Sequence, residues 1–286
     1  MLSRARSSVA SAYNAPDAHA QRNGRAAIAA LYDELALAPK PGLVSFVDSG
    51  SHTDMDATTF MRSLFALRHY FARIASLGAA GAPFHALEAL GIAAEARMLA
   101  ATGGVNTHRG AVFTLGLLCA AAGEGAWLSA SQLRERLMHC WGDALRARLH
   151  RASGSNGRRA ADAHGLRSVG AEAALGFPTV FEHAVPALAR ARALGLNDHP
   201  ARLQTLFEII AVLDDTNLAH RGGLAGLRFA QAEARAFLRA GGAARPEAMA
   251  HAQAIHRAFV ERRLSPGGAA DVLAAACLIE RIGGST

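Results

Sequence analysis

Lysine is almost missing from this chain. Of its 30 Lys and Arg residues, only Lys40 is a lysine. Aromatics make up 6% of the residues. No long run alternates valine, isoleucine, threonine and aromatics, so a substantial sheet is excluded. The three cysteines, Cys119, Cys140 and Cys277, show no CxxC spacing. That argues against a disulfide framework or a cysteine zinc site and predicts reduced core thiols. The longest apolar run, "FTLGLLCAAA" at 113–122, is too short to span a bilayer. HExxH and GxSxG are missing, and no glycine loop ends in GK[ST]. These absences speak against a zinc protease, an elbow-type serine hydrolase and a Walker nucleotidase. Covalent catalysis is not expected.

What the chain does have is alanine and leucine, within a 51% hydrophobic composition. Both are strong helix formers. The expected fold is all-α, a single globular multi-helix domain with functional Gly-rich and Asp-rich loops. No repeat or linker divides it. Residues 1–23 read as a flexible tail, rich in Ser, Ala and Arg, and 24–286 as one helical catalytic domain. The formal charge of +7 fits a nucleic acid or a small polyanion. The arginines are spread along helices, without interleaved aromatics, so nucleic acid is not the expected partner.

Helices are expected over 24–38, from Asp56 through "DATTFMRSLFALRHYFARI", and over 84–101. A buried helix follows "VNTHRG". Ser129 and Gln132 form a capping box for the next helix. Further helices are expected over 178–194, 199–213, 223–240, 246–264 and from "SPGG" to 282. The stretch 151–165 reads as a mobile loop.

Four segments carry candidate chemistry. In "SHTDMD", His52, Asp54 and Asp56 are spaced by two, which puts them on one side of an extended loop. Paired carboxylates suit Mg²⁺. Equally, Asp56 is a helix cap and Asp54 a solvated turn residue. In "ATGGVNTHRGAVF", Gly103 and Gly104 free the backbone, and Asn106, Thr107, His108 and Arg109 lead into a helix start suited to phosphate. In "VLDDTNLAHRGG", Asp214 and Asp215 end an apolar stretch, where a second metal-binding edge or a pairing with Arg221 would account for them. In "LSPGGAAD", Ser265 caps, Gly267 and Gly268 allow close ligand approach, and Asp271 faces the same end. A weaker fifth segment holds Arg167 and Glu172. Together these suit a nucleotide polyphosphate with Mg²⁺.

The segments "PKPGLVSFVDSGSHTDMD", "TGGVNTHRGA", "GFPTVFEHAVPAL", "DDTNLAHRGG" and "LSPGGAADVLA" resemble the triphosphoribosyl-dephospho-coenzyme A synthases over about residues 25–285. "VSFVDSGSH" looks like the malonate decarboxylase branch. The resemblance implies a helical, cytoplasmic bacterial transferase, without membrane or nucleic-acid partners. It would join ATP to 3′-dephospho-coenzyme A and release adenine. Its product would become the prosthetic group of the decarboxylase's acyl carrier subunit, which implies a transient contact with that system's assembly proteins.

Under this resemblance Asp54, Asp56, Asp214 and Asp215 hold Mg²⁺ on the triphosphate, and Asp54, Asp56 and Asp215 are the catalytic candidates. Lys40, His52, Arg221 and Ser265 join Gly103, Gly104, Asn106, Thr107, His108 and Arg109 in holding substrate. Gly267 and Gly268 admit the nucleotide, and Glu172 contacts a ribose or adenine. The competing readings are a helical Mg²⁺-dependent hydrolase of ADP-ribose-type bonds and a non-enzymatic helical binding module.

Overall fold

A computed structural model describes residues 17–123, 128–150 and 156–283. Among these residues every regular element is helical. The fold class is all-α, as the composition demanded.

Helix α1 (Ala18–Ala36) opens on Asp17, whose side chain accepts from the Ala20 amide at 2.7 Å. It therefore begins earlier than residue 24, and Ala20 and Asn23 are already buried. The expected long helix after Asp56 is two helices. α2 (Ala57–Leu67) and α3 (Tyr70–Ala79) are separated by Arg68 and His69. The break keeps Leu64, Leu67, Phe71 and Ile74 all in the core. α4 (Phe84–Ala101) and α5 (Arg109–Ala122) follow. α5 is apolar all round and central: Leu115, Leu118, Cys119, Ala120 and Ala121 have no solvent exposure. It packs on α3 and against the last helix, which in turn lies on α1.

α6 (Ala130–Arg148) starts with the Ser129–Gln132 capping box. Part of the expected loop 151–165 is helix α7 (Asn156–His164), which packs on the long helix that follows residue 215; positions 151–155 lie outside the described residues. α8 (Val169–Ala174) precedes a π-helical turn (Thr179–Ala184) that runs into α9 (Val185–Ala193). α10 (Asp198–Val212) leads to α11 (Thr216–Arg239). α11 contains a kink at Gly223, φ 61°, where the sequence pattern placed the start of a helix. The left-handed backbone there is open to glycine at little cost. α12 (Ala248–Glu261) and α13 (Gly267–Ile282) complete the fold. Cys119 and Cys277 are buried thiols, but Cys140 is exposed rather than in the core. Among the described residues no helix is long and apolar enough to cross a membrane.

Candidate active site

Three helix starts open onto one cavity of about 760 Å³. The segments 106–110, 214–217 and 267–268, which begin α5, α11 and α13, all line it. Helix starts present unpaired amides and a positive dipole end, so their convergence favours bound anions.

The floor is acidic. Asp215 is buried and caps two helices at once. One oxygen accepts from the Asn217 and Leu218 amides at 2.9 and 3.2 Å, and the other from the Ala269 amide at 2.9 Å. Burial pushes its pKa up to about 6 despite those amides. Only a small residue fits opposite it, because a Cβ on Gly268 would lie 3.1 Å from Oδ2. Asp271 stands one turn into α13, on the cavity wall. Burial, then the charges of Glu34 and Asp215, raise its pKa well above the usual carboxylate range, and the Ala111 amide opposes this. A Cβ on Gly110 would come within 1.9 Å of its Oδ2, so any larger residue there would have to displace the Asp271 carboxylate. Glu34, from α1, is the third carboxylate.

Four arginines, Arg109, Arg148, Arg158 and Arg167, also line the cavity, each paired with a carboxylate. Arg109 pairs with Glu95, Arg148 with Glu88 at 2.8 Å, and Arg167 with Glu172 at 2.9 Å. Arg148 also lies over the Phe113 ring. Glu172 additionally accepts from the Thr179 amide at 3.0 Å, so it holds the turn after α8 as well as lining the cavity. At the rim, Arg221 donates to His52 Nδ1 at 3.0 Å, which leaves Nε2 to meet Ser265 Oγ at 2.9 Å. Arg221 also bonds the carbonyls of Ser51 and Arg263, tying three chain segments together.

The structure thus brings His52, Asn106, Thr107, His108, Arg109, Glu172, Asp214, Asp215, Arg221, Ser265, Gly267 and Gly268 around one cavity. It separates others from it. Asp56 is exposed and is the N-cap of α2, accepting from the Thr59 amide at 2.8 Å. Asp54 is exposed and sits 3.4 Å from His52 Nδ1, outside the lining. Turns and bends interrupt the segment 46–54, yet His52 and Asp54 still face each other, as their spacing suggested. Gly103 and Gly104 are exposed and simply end α4. Lys40 is no phosphate ligand in the cavity wall. It is 1% exposed, and its ammonium is held by the Glu34 carboxylate and by the Glu34 carbonyl at 2.7 Å. His256 Nδ1 fixes the Lys40 carbonyl at 2.8 Å.

Glu34, Arg148 and Arg158 carried no motif in the sequence. Asp271 was visible in "SPGGAAD", but nothing local marks its approach to Gly110.

Among the described residues no three His, Cys, Asp or Glu side chains are grouped to hold a metal ion. The donors on offer are instead Asp215 and Asp271, whose charges oppose each other, since Glu34 is paired with Lys40. Mg²⁺ commonly takes one or two carboxylates and leaves its other positions to water and substrate phosphates. The floor fits a magnesium ion that arrives with a triphosphate, and does not fit an all-protein cage.

The family model described as CitG, ATP:dephospho-CoA triphosphoribosyl transferase, matches residues 20–286. The chain belongs to this transferase family. Among curated relatives, this family member is 40% identical over 265 residues to "2-(5''-triphosphoribosyl)-3'-dephosphocoenzyme-A synthase" of Pectobacterium atrosepticum, covering 87% of this chain and 85% of the relative. It is also 40% identical over 277 residues to a protein of Azotobacter vinelandii described as "Probable 2-(5''-triphosphoribosyl)-3'-dephosphocoenzyme-A synthase", covering 92% of each. No solved structure matches the transferase chain. As a transferase, the protein is an enzyme.

Proposed function

We propose that the protein joins ATP to 3′-dephospho-coenzyme A, releases adenine, and so makes the prosthetic-group precursor for a malonate decarboxylase in the bacterial cytoplasm. The observation that carries this reading is that one cavity is lined both by the buried carboxylate of Asp215 with that of Asp271 and by four arginines and three helix starts. Breaking the bond between adenine N9 and ribose C1 leaves an oxocarbenium-like ribose. Carboxylates below it stabilise the positive charge. The helix starts, with arginines among the lining, favour the triphosphate and the diphosphate of the coenzyme.

Asp215 and Asp271 would hold Mg²⁺, which would neutralise phosphate charge and fix the triphosphate when bound. Asp214 lines the floor, is half-buried, and its Oδ2 accepts from the Arg167 amide at 3.3 Å. It is the carboxylate we assign to the incoming 2′-hydroxyl as base. The electron pair of the broken bond leaves with adenine, and the hydroxyl proton balances it there. The new bond joins the 2′-oxygen to C1, with the triphosphate retained.

The test is mass spectrometry of the protein incubated with ATP, with and without 3′-dephospho-coenzyme A and Mg²⁺. Adenine and the joined product should appear only when all three are present. Adenine released from ATP alone would replace this reading with a glycosidic hydrolase. No release under any condition would leave a binding module.

A further inference from the structure

His108 is the residue before the first turn of α5, yet its side chain caps nothing. It is 3% exposed. Its Nδ1 meets Ser63 Oγ of α2 at 2.7 Å, and its backbone amide faces Met98 Sδ at 3.3 Å. Phe60 presses on the ring edge-on, with centroids 4.9 Å apart. Nε2 is buried without a partner, and so is Oγ1 of the preceding Thr107. Both residues line the cavity.

Buried polar atoms are nearly always bonded, and an unbonded one is costly. Two such atoms on consecutive residues, both in a cavity wall, indicate a ligand that completes them. Burial and nearby Lys40 push the His108 pKa down to about 3, so the ring is neutral. It offers a single N–H or lone pair, which is a poor match for a phosphate and a good one for a heterocycle edge. The cavity lining also includes Phe60, Ile74, Phe84, Leu87 and Leu117, an apolar surface suited to a flat ring.

We propose that Thr107 and His108 form a nucleobase subsite that reads the hydrogen-bonding edge of an adenine ring beside Phe60. This rests on the transfer reading above and narrows it. Both ATP and dephospho-coenzyme A carry adenine, so the experiment must separate the two.

Calorimetric affinities of the full chain, with Mg²⁺, for ATP, GTP, 3′-dephospho-coenzyme A and inorganic triphosphate make that separation. Two variants are compared with the wild type. Thr107→Val keeps the side-chain shape. His108→Phe combined with Ser63→Ala keeps the contact with Phe60 and leaves no stranded hydroxyl. Each should weaken either ATP or dephospho-coenzyme A about tenfold, the loss of a hydrogen bond or two. Whichever weakens owns the subsite. If it is ATP, its preference over GTP should shrink by a similar factor. Inorganic triphosphate should bind unchanged.

Equal weakening of inorganic triphosphate would make this a phosphate contact and overturn the proposal. Unchanged affinity for both nucleotides would overturn it as well. Wild-type binding of both nucleotides, with no adenine released when both are present with Mg²⁺, would instead sink the transfer reading while leaving the subsite in place.

Discussion

Replacing Asp215 by asparagine should leave the protein folded and reduce turnover by about a thousandfold. The two halves of that expectation come from different roles of one side chain. Asp215 caps α11 and receives the Ala269 amide of α13. Asparagine is also a good N-cap, and its carbonyl oxygen can keep the Asn217 and Leu218 contacts. The negative charge disappears, and with it the acceptor for the Ala269 amide, which costs some stability. In the wild type that charge sits buried, close enough to Asp271 to be felt there electrostatically, in a place where it is costly without a cation. A cationic ribose or a phosphate-borne Mg²⁺ would relieve the cost, and asparagine would have nothing to offer either. Steady-state kinetics at several Mg²⁺ concentrations, beside a circular dichroism melt, check both halves. Turnover within tenfold of wild type would remove Asp215 from the chemistry.

Lys40→Met should destabilise the protein by about 3–5 kcal/mol, because Glu34 would be left buried without its counter-charge. For a chain of this size that corresponds to a melting temperature lower by about 10 °C. Lys40→Arg should also destabilise, since a planar guanidinium does not fit a fully enclosed ammonium site. Pairing Lys40→Met with Glu34→Leu should recover most of the loss, as buried ion pairs replaced whole by apolar residues often cost little. Thermal melts of the single and double variants decide this. A Lys40→Met protein that melts like the wild type would show that the ion pair contributes nothing.

Much of the helical frame could be read from local rules. Asp56 and Ser129 announce helices by capping and both are found doing so, whereas α13 opens at Gly267 with Pro266 as its N-cap and no cap from Ser265, whose hydroxyl meets His52 instead. The same rules located Asp215, Thr107 and His108, because helix starts are where free amides gather. The errors have one physical source. The metal reading of Asp54 and Asp56 rested on spacing alone, whereas both are exposed outside the cavity lining and Asp56 caps α2. Lys40 drew attention as the lone lysine beside prolines, but its partner was set by burial, which local spacing does not report. Glu34 and Asp271 reach the cavity through packing of α1 and α13 against α5, a tertiary fact with no local signature. Arg158 was lost inside a stretch whose glycines and serines resemble a linker, though α7 forms there and packs on α11.

The enclosure of the single lysine has a practical side. An acylating reagent that attacks amines meets no accessible lysine side chain while α1 stays in place. Should α1 lift away, one ε-amino group becomes reactive, at a known position and in a peptide of known mass. Acylation of residue 40 is therefore a built-in clock for the opening of this helix, readable without any engineered label.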